Sequence, residues 1–305
     1  MKFLLPFNLL NKIIVVVLFS GAVYAQNIAI TIDNPNSKST PLFSAEERDK
    51  KILGALDKNH LKIVLFAQGK QIEDWQGKKL LQRWNDAEHI LGNHTYSHLT
   101  MNEITEKQDE EDTLKNEKIL QQYSHFKKIF RFPFLKEGDT LAKRDAFRRF
   151  LHKNQYKFGS VTIDTSDWYI SDRLEKRLAQ NPTADITPYK KYYLDHIWSR
   201  AQYYDNLAVQ VLGKSPNHTL LVHHNLLNAL FLEDLIQMFK KRGWNVIDAD
   251  EAFRDPVFKI TPNTLPAGES LIWALAKQTG RHNDKLRYPG EDGSYERDAM
   301  DKLGL

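Results

Sequence analysis

The chain has 305 residues, 41% of them hydrophobic and 27% charged, enough apolar material for one large core. Its formal charge is +4, and because residues 1–25 hold Lys2 and Lys12 but no acid, the remainder carries 41 basic against 39 acidic side chains, too even a balance to drive nucleic-acid binding. Cysteine is absent, which excludes disulfides and thiolate zinc sites.

Residues 1–25 have the pattern of a secretory signal. Lys2 and Lys12 precede the apolar run 13–19, and Val23-Tyr24-Ala25 forms a small-residue cleavage site before Gln26. The run is shorter than the roughly 20 residues a membrane span needs, so cleavage is expected and no stable membrane insertion after it. Export without cysteines fits a bacterial periplasm or cell surface.

Downstream, Asn27-Ile28-Ala29-Ile30-Thr31-Ile32 predicts a buried strand. Ser44 and Glu47 form a capping box that opens a helix to about residue 58. A strand at 61–67, a helix at 77–86 and a short strand at 88–91 follow. Residues 105–128 read as a long helix whose Glu, Asp and Lys form a solvated face. Apolar runs at 128–134, 157–163 and 219–223 alternate with helical patterns. A helix over 231–242, stopped by Gly243, leads to a last strand at 244–247. This alternation predicts an α/β fold, a distorted (β/α) barrel of about seven strands filling residues 26–258. Residues 259–305 form a C-terminal extension of unassigned role, with an amphipathic helix at 268–279 and a polar stretch at 287–298.

In a barrel of this kind the chemistry collects at the C-terminal ends of the strands. Polar residues stand there. Asp33 and Asn34 follow the first run, His94 and His98 the third, and Arg131 sits in the fourth. Asp164 and Asp167 end the fifth, and His223 and His224 the sixth. Two histidines four apart can present both rings to one ion. Among 11 histidines that pair alone is weak, and each of the other groups alone could be a turn, a cap or an edge strand.

Together and in this order they resemble the polysaccharide deacetylase (NodB-homology) family, carbohydrate esterase family four. Its motifs TFDD, H(S/T)xxH, RxPY, DxxDW and LxLxH match Thr31-Ile32-Asp33-Asn34, residues 94–98, Arg131-Phe132-Pro133-Phe134, residues 164–168 and, approximately, residues 220–223. The resemblance implies hydrolysis of N-acetyl groups on a glycan such as peptidoglycan, a chitin-like chain or poly-N-acetylglucosamine. It implies Zn2+, or another divalent cation such as Co2+, Ni2+ or Mn2+, on His94, His98 and position 34. Asp33 matches the general base and Arg131 the residue that holds it ionised. His223 matches the general acid and Asp167 its orienting carboxylate. The backbone N–H of Phe134 matches an oxyanion donor, and Trp168 and Leu221 match the walls of the acetyl pocket.

Three positions depart from the family pattern. Asn34 replaces the usual ligand Asp, which removes a negative charge and should weaken the metal. Phe134 replaces Tyr. His224 replaces the Asp common after the catalytic His, as a substrate contact or simply an exposed ring. An O-acetyl esterase of the xylan type, and a non-catalytic glycan-binding protein with a decayed metal site, are the competing functions.

Overall fold

The computed structural model describes residues 25–286 and 292–305, so the expected export signal lies outside the described residues except for Ala25. The chain opens with β1 (Asn27–Asp33), buried at every residue after Asn27. Burial on both faces is what a central parallel strand has. Helix α1 (Ala45–Lys58) starts at the expected capping box, Ser44 accepting from the backbone of Glu47 and Glu47 from that of Ser44. β2 (Val64–Ala67), the single turn α2 (Gly69–Ile72), α3 (Trp75–Asp86) and β3 (Ile90–Asn93) follow. Helix α4 (Glu106–Leu120) ends before the expected residue 128, because the chain turns and Phe126–Phe130 joins the sheet as β4. Then come β5 (Lys136–Gly138), α5 (Leu141–Lys153), β6 (Lys157–Phe158), α6 (Asp167–Gln180), α7 (Thr187–Leu212), β7 (His218–His223), α8 (Leu226–Lys241), β8 (Asn245–Val246) and α9 (Ala249–Ala252). The C-terminal elements are β9 (Ala267–Gly268), α10 (Leu271–Thr279) and α11 (Ser294–Lys302).

The main sheet is parallel, in the order β6-β4-β3-β2-β1-β7, with β8 paired to the start of β1. Only the two ends of the expected strand 157–163 are hydrogen-bonded into it. At one end Gly159 N donates to Phe130 O; at the other Leu221 N donates to Ile163 O at 3.1 Å. One extended segment thus spans from β4 to β7 and curls the sheet towards closure, giving the distorted barrel expected. Side chains alternate along β1 with the period of two that a strand imposes. Ile28, Ile30 and Ile32 join the large core under the helices, while Ala29 packs with Val64, Phe66 and Ile129 in a second cluster.

Residues beyond 258 are built into this body. β9 pairs antiparallel with β5. Ser270 Oγ donates to Thr162 O at 2.8 Å and Leu271 N to Val161 O at 2.7 Å, so the segment also caps the strand region 157–163. Leu271, Ile272, Met300 and Leu305 enter the main core. Gly268 makes the close approach possible, with φ of 117° and its chain against the Leu135 carbonyl, where a Cβ would lie 1.9 Å from the oxygen. Gly268→Ala should therefore lower stability by about 2 kcal/mol or more, read as a fall in the thermal unfolding midpoint. An unchanged midpoint would mean that the ribbon is not held as described.

Candidate active site

Five loops at the C-terminal ends of the parallel strands converge on one cavity of about 270 Å³, lined among others by Asp33, Asn34, His94, His98, Phe134, Trp168, Leu221 and His223. The sheet itself sets much of this. β1 and β7 run in register from Ile28↔His218 to Asp33↔His223, so the carboxylate and the imidazole leave adjacent strands at the same level. Asn34 then leaves the sheet at φ 57°, a left-handed turn that Asn tolerates better than most residues.

Asp33 is buried, and its Oδ1 accepts from Arg131 NH1 at 2.6 Å. Arg131 is equally buried, held by Nε donating to Gly159 O at 2.8 Å and stacked 3.9 Å over the Phe66 ring. Burial pushes the Asp33 carboxyl above its ordinary value, and the Arg131 charge works against that rise. Arg131 thus restrains the rise without reversing it. A raised carboxyl is nearer the range in which a base can return its proton. The second oxygen, Oδ2, lies 3.6 Å from His94 Nε2.

The two histidines face each other, with Nε2 atoms 3.1 Å apart. His94 Nδ1 lies 2.8 Å from the Arg131 carbonyl oxygen, an acceptor, so Nδ1 carries the proton and Nε2 presents a lone pair. Burial drops both rings to about 3, so they stay neutral and ligand-competent. Two lone-pair nitrogens this close are near the separation two imidazoles would have at ~2.0–2.1 Å from one zinc ion. Beside them Asn34 Oδ1 is buried without a hydrogen-bond donor, while its Nδ2 is 3.4 Å from His98 Nε2. Among the described residues no three His, Cys, Asp or Glu side chains converge on one ion, so a third protein ligand would be Asn34. The donor set therefore fits a divalent cation.

The histidine turn has supports that the sequence reading missed. Asp112 of α4 accepts from Tyr96 N at 2.9 Å, Ser97 N at 2.7 Å and Ser97 Oγ at 2.8 Å. Asn93 Oδ1 accepts from Thr95 N and from Asn116 Nδ2. The α4 charges are thus not all a solvated face. Asp109 is also turned inward, where burial pushes its carboxyl up to about 8.

On the opposite side, His223 Nδ1 lies 2.7 Å from Asp167 Oδ1, and His223 N donates to Oδ2 at 2.9 Å. Asn225 and Asn228, also unforeseen, each donate to the same Oδ2 at 2.9 Å. Burial disfavours the imidazolium, yet Asp167 outweighs it and raises His223 above its ordinary value. Phe134 is 44% exposed at the rim, its ring 4.6 Å from that of His98, with φ of 55° turning its backbone at the cavity edge. Trp168 and Leu221 line the cavity as expected, joined by Phe132, Leu135 and Asp164.

His224 corrects the sequence reading. It is buried rather than exposed, with Nε2 3.2 Å from Asp49 Oδ1. Asp49 also accepts from Trp84 Nε1 and Arg83 Nε, both at 2.5 Å. A histidine following a strand gives no sequence signal of which helix it will meet.

Residues 21–150 match the family model described as Polysaccharide deacetylase, a span that holds the first three motifs. A curated relative, the peptidoglycan-N-acetylglucosamine deacetylase of Bacillus cereus, is 26% identical over 152 residues, which are 49% of this chain and 49% of the relative; the chain thus spans about half the relative's length. In fold the chain is similar to a CE4 family pseudoenzyme from Bacillus anthracis, with a TM-score of 0.51, 19% identity and coverage of 75% of this chain and 65% of the other. It is also similar to the chitin deacetylase of the fungal pathogen Colletotrichum lindemuthianum, with a TM-score of 0.52, 17% identity and coverage of 75% and 88%. These matches bear out the resemblance carried by the motifs. The last two motifs lie outside the matched residues, and their side chains reach the same cavity.

The Asp49 cluster gives a direct expectation. Asp49→Ala strips the buried donors Trp84 and His224, and the half-buried Arg83, of their acceptor and should cost about 3–5 kcal/mol, seen in chemical or thermal unfolding. A loss below about 1 kcal/mol would show that these contacts carry little of the packing behind His224.

Proposed function

We propose that this protein is a metal-dependent polysaccharide de-N-acetylase acting on an acetylated amino-sugar polymer outside the cytoplasm. The observation that carries this reading is the pairing of two complete dyads across one cavity, Asp33 with Arg131 and His223 with Asp167. Amide hydrolysis needs one group that takes a proton from water and one that gives a proton to the departing amine. A carboxylate and an imidazole on facing walls supply both.

His94, His98 and Asn34 would hold the divalent cation, whose chemistry there is to acidify a water and polarise the acetyl carbonyl. Asp33 Oδ1 is tied up by Arg131, which leaves Oδ2 to accept the proton from the attacking water. As the C–N bond breaks and acetate forms, the amine takes a proton from His223. Asp167 keeps that proton available by accepting from Nδ1, so Nε2 is the donating atom. Leu135, Trp168 and Leu221 wall the cavity with apolar surface suited to a methyl group. The Phe134 backbone N–H would stabilise the oxyanion.

A fold neighbour that is a pseudoenzyme makes the non-catalytic reading concrete. Both dyads argue against it here, since binding alone needs no base and acid held in register. An O-acetyl esterase would use the same groups with an easier leaving group. The N-terminal pattern supports export, and signal removal checks it by N-terminal sequencing of the periplasmic or culture protein.

Acetate release from a panel of N- and O-acetylated glycans, with and without chelator, tests the reading. The expected result is chelator-sensitive release from N-acetylated chains; no release from any glycan, with metal bound, would leave only a binding function. His223→Ala should lower kcat by about 10²–10⁴-fold with metal retained. Because His223 must be protonated to act, and its pKa is raised, kcat should fall tenfold per pH unit above that pKa, while protonation of the base Asp33 sets a separate limb on the acid side. Asp167→Asn should move this alkaline limb to lower pH; an unmoved limb would remove His223 from the proton transfer. Asn34→Asp adds a negative ligand and should tighten Zn2+ at least tenfold in a competition titration. Tighter zinc in the wild type would overturn the assignment of Asn34.

A further inference from the structure

The C-terminal helix α11 lies outside every motif and beyond residues 21–150, which match the family model, yet it reaches the back of the acid dyad. Glu296, on its first turn, is buried, with Oε1 3.2 Å from Arg200 NH2 and 3.3 Å from His196 Nδ1, both from α7. The other nitrogen of that ring, His196 Nε2, accepts from the backbone N–H of Ser166 at 3.1 Å. A nitrogen that accepts carries no proton, so the ring proton sits on Nδ1 and faces the carboxylate. Ser166 is fully buried, and its side chain does not cap the helix that follows. Its carbonyl already serves the first turn of α6, accepting from Tyr169 N at 3.1 Å. The next residue is Asp167.

We infer that Glu296 is a positioning residue for the acid dyad: it fixes the His196 tautomer, His196 holds the Ser166 peptide, and that peptide sets where Asp167 meets His223. The inference rests on the deacetylase reading for its catalytic consequence, but not for its geometry. The rest of the tail is anchored on the same helix. Arg173 and Arg177 of α6 donate to the Leu305 and Gly304 carbonyl oxygens, and Arg173 pairs with Asp301 at 2.7 Å. Gly293 lies against the Tyr169 ring, where a Cβ would approach within 2.4 Å. A buried peptide N–H that lost its acceptor would have to move to find another. Any such movement reaches Asp167 directly, because the two residues are adjacent.

Three variants of the full chain separate positioning from packing. Glu296→Leu removes the acceptor. Glu296→Gln keeps an acceptor oxygen for His196 but loses the charge opposite Arg200. Met300→Ala loosens the buried face of α11 without touching His196. The expected result is a fall in kcat of about tenfold or more in Glu296→Leu, with KM and metal content unchanged. Glu296→Gln should hold kcat within about twofold while its unfolding midpoint drops, and Met300→Ala should lose stability only. Equal kcat losses in all three, or none in Glu296→Leu, would overturn the inference. Nitrogen chemical shifts of His196 give a readout independent of turnover. They should show a protonated Nδ1 and bare Nε2 in the wild type, and loss of that single tautomer in Glu296→Leu. The opposite tautomer in the wild type would overturn the inference whatever the activity. If no glycan yields acetate, the deacetylase reading fails while these spectra still decide the role of Glu296.

Discussion

The site depends first on the parallel ladder between β1 and β7. Six residue pairs fix it, ending at Asp33↔His223, and His224 N extends it by donating to Asp33 O at 2.9 Å. A slip of one residue would turn Asp33 to the opposite face of the sheet and away from His223. The ladder is protected against slipping because the two faces of β1 differ: isoleucines 28, 30 and 32 are locked under the helices, while Ala29, Thr31 and Asp33 point the other way. The relative placement of Asp33 and His223 is thus a consequence of strand pairing in the middle of the barrel, where the backbone has least freedom.

Buried charge is the second constraint. Asp33, Arg131, Asp167 and Asp49 are all nearly inaccessible, and an isolated charge in such a place is expensive. Each has a partner at close range: Arg131 for Asp33, His223 with two asparagines for Asp167, and Arg83 with His224 and Trp84 for Asp49. Where partners are missing, the atoms are informative. Asn34 Oδ1 is buried without a donor, while its Nδ2 lies 3.4 Å from His98 Nε2, beside the two facing histidine nitrogens.

Much of this was legible in the sequence because it is local. The capping box at Ser44 and Glu47, the apolar run of β1 and the polar residues just past each strand are read from neighbours a few positions apart. The order of the five motifs carried the cavity, since a parallel barrel delivers strand ends to one face. Long-range pairing was not legible. Asp112, Asn225 and Asn228 look like surface or cap residues until the fold brings the histidine turn and Asp167 to them. His224 gave no hint of Asp49, 175 positions earlier. Residues 157–163 read as one strand, but the chain pairs only at its ends, because it must bridge two strands that lie apart.

The two halves of the site are therefore supported from different directions. The histidine turn leans on α4 through Asp112 and Asn116, all within residues 93–116 and inside the matched span. The acid dyad leans on α6, α7, α8 and the C-terminal helix, through Asn225, Asn228, His196 and Glu296. The two groups face each other across the cavity. Under the proposed mechanism, a change in the tail would disturb proton donation and leave the proposed cation ligands in place, whereas a change in α4 would do the reverse. Division of support of this kind also explains why the C-terminal residues cannot be treated as an appendage: they complete the packing of the helix that begins with Asp167, so the acid half of the site is finished only when the last helix has docked.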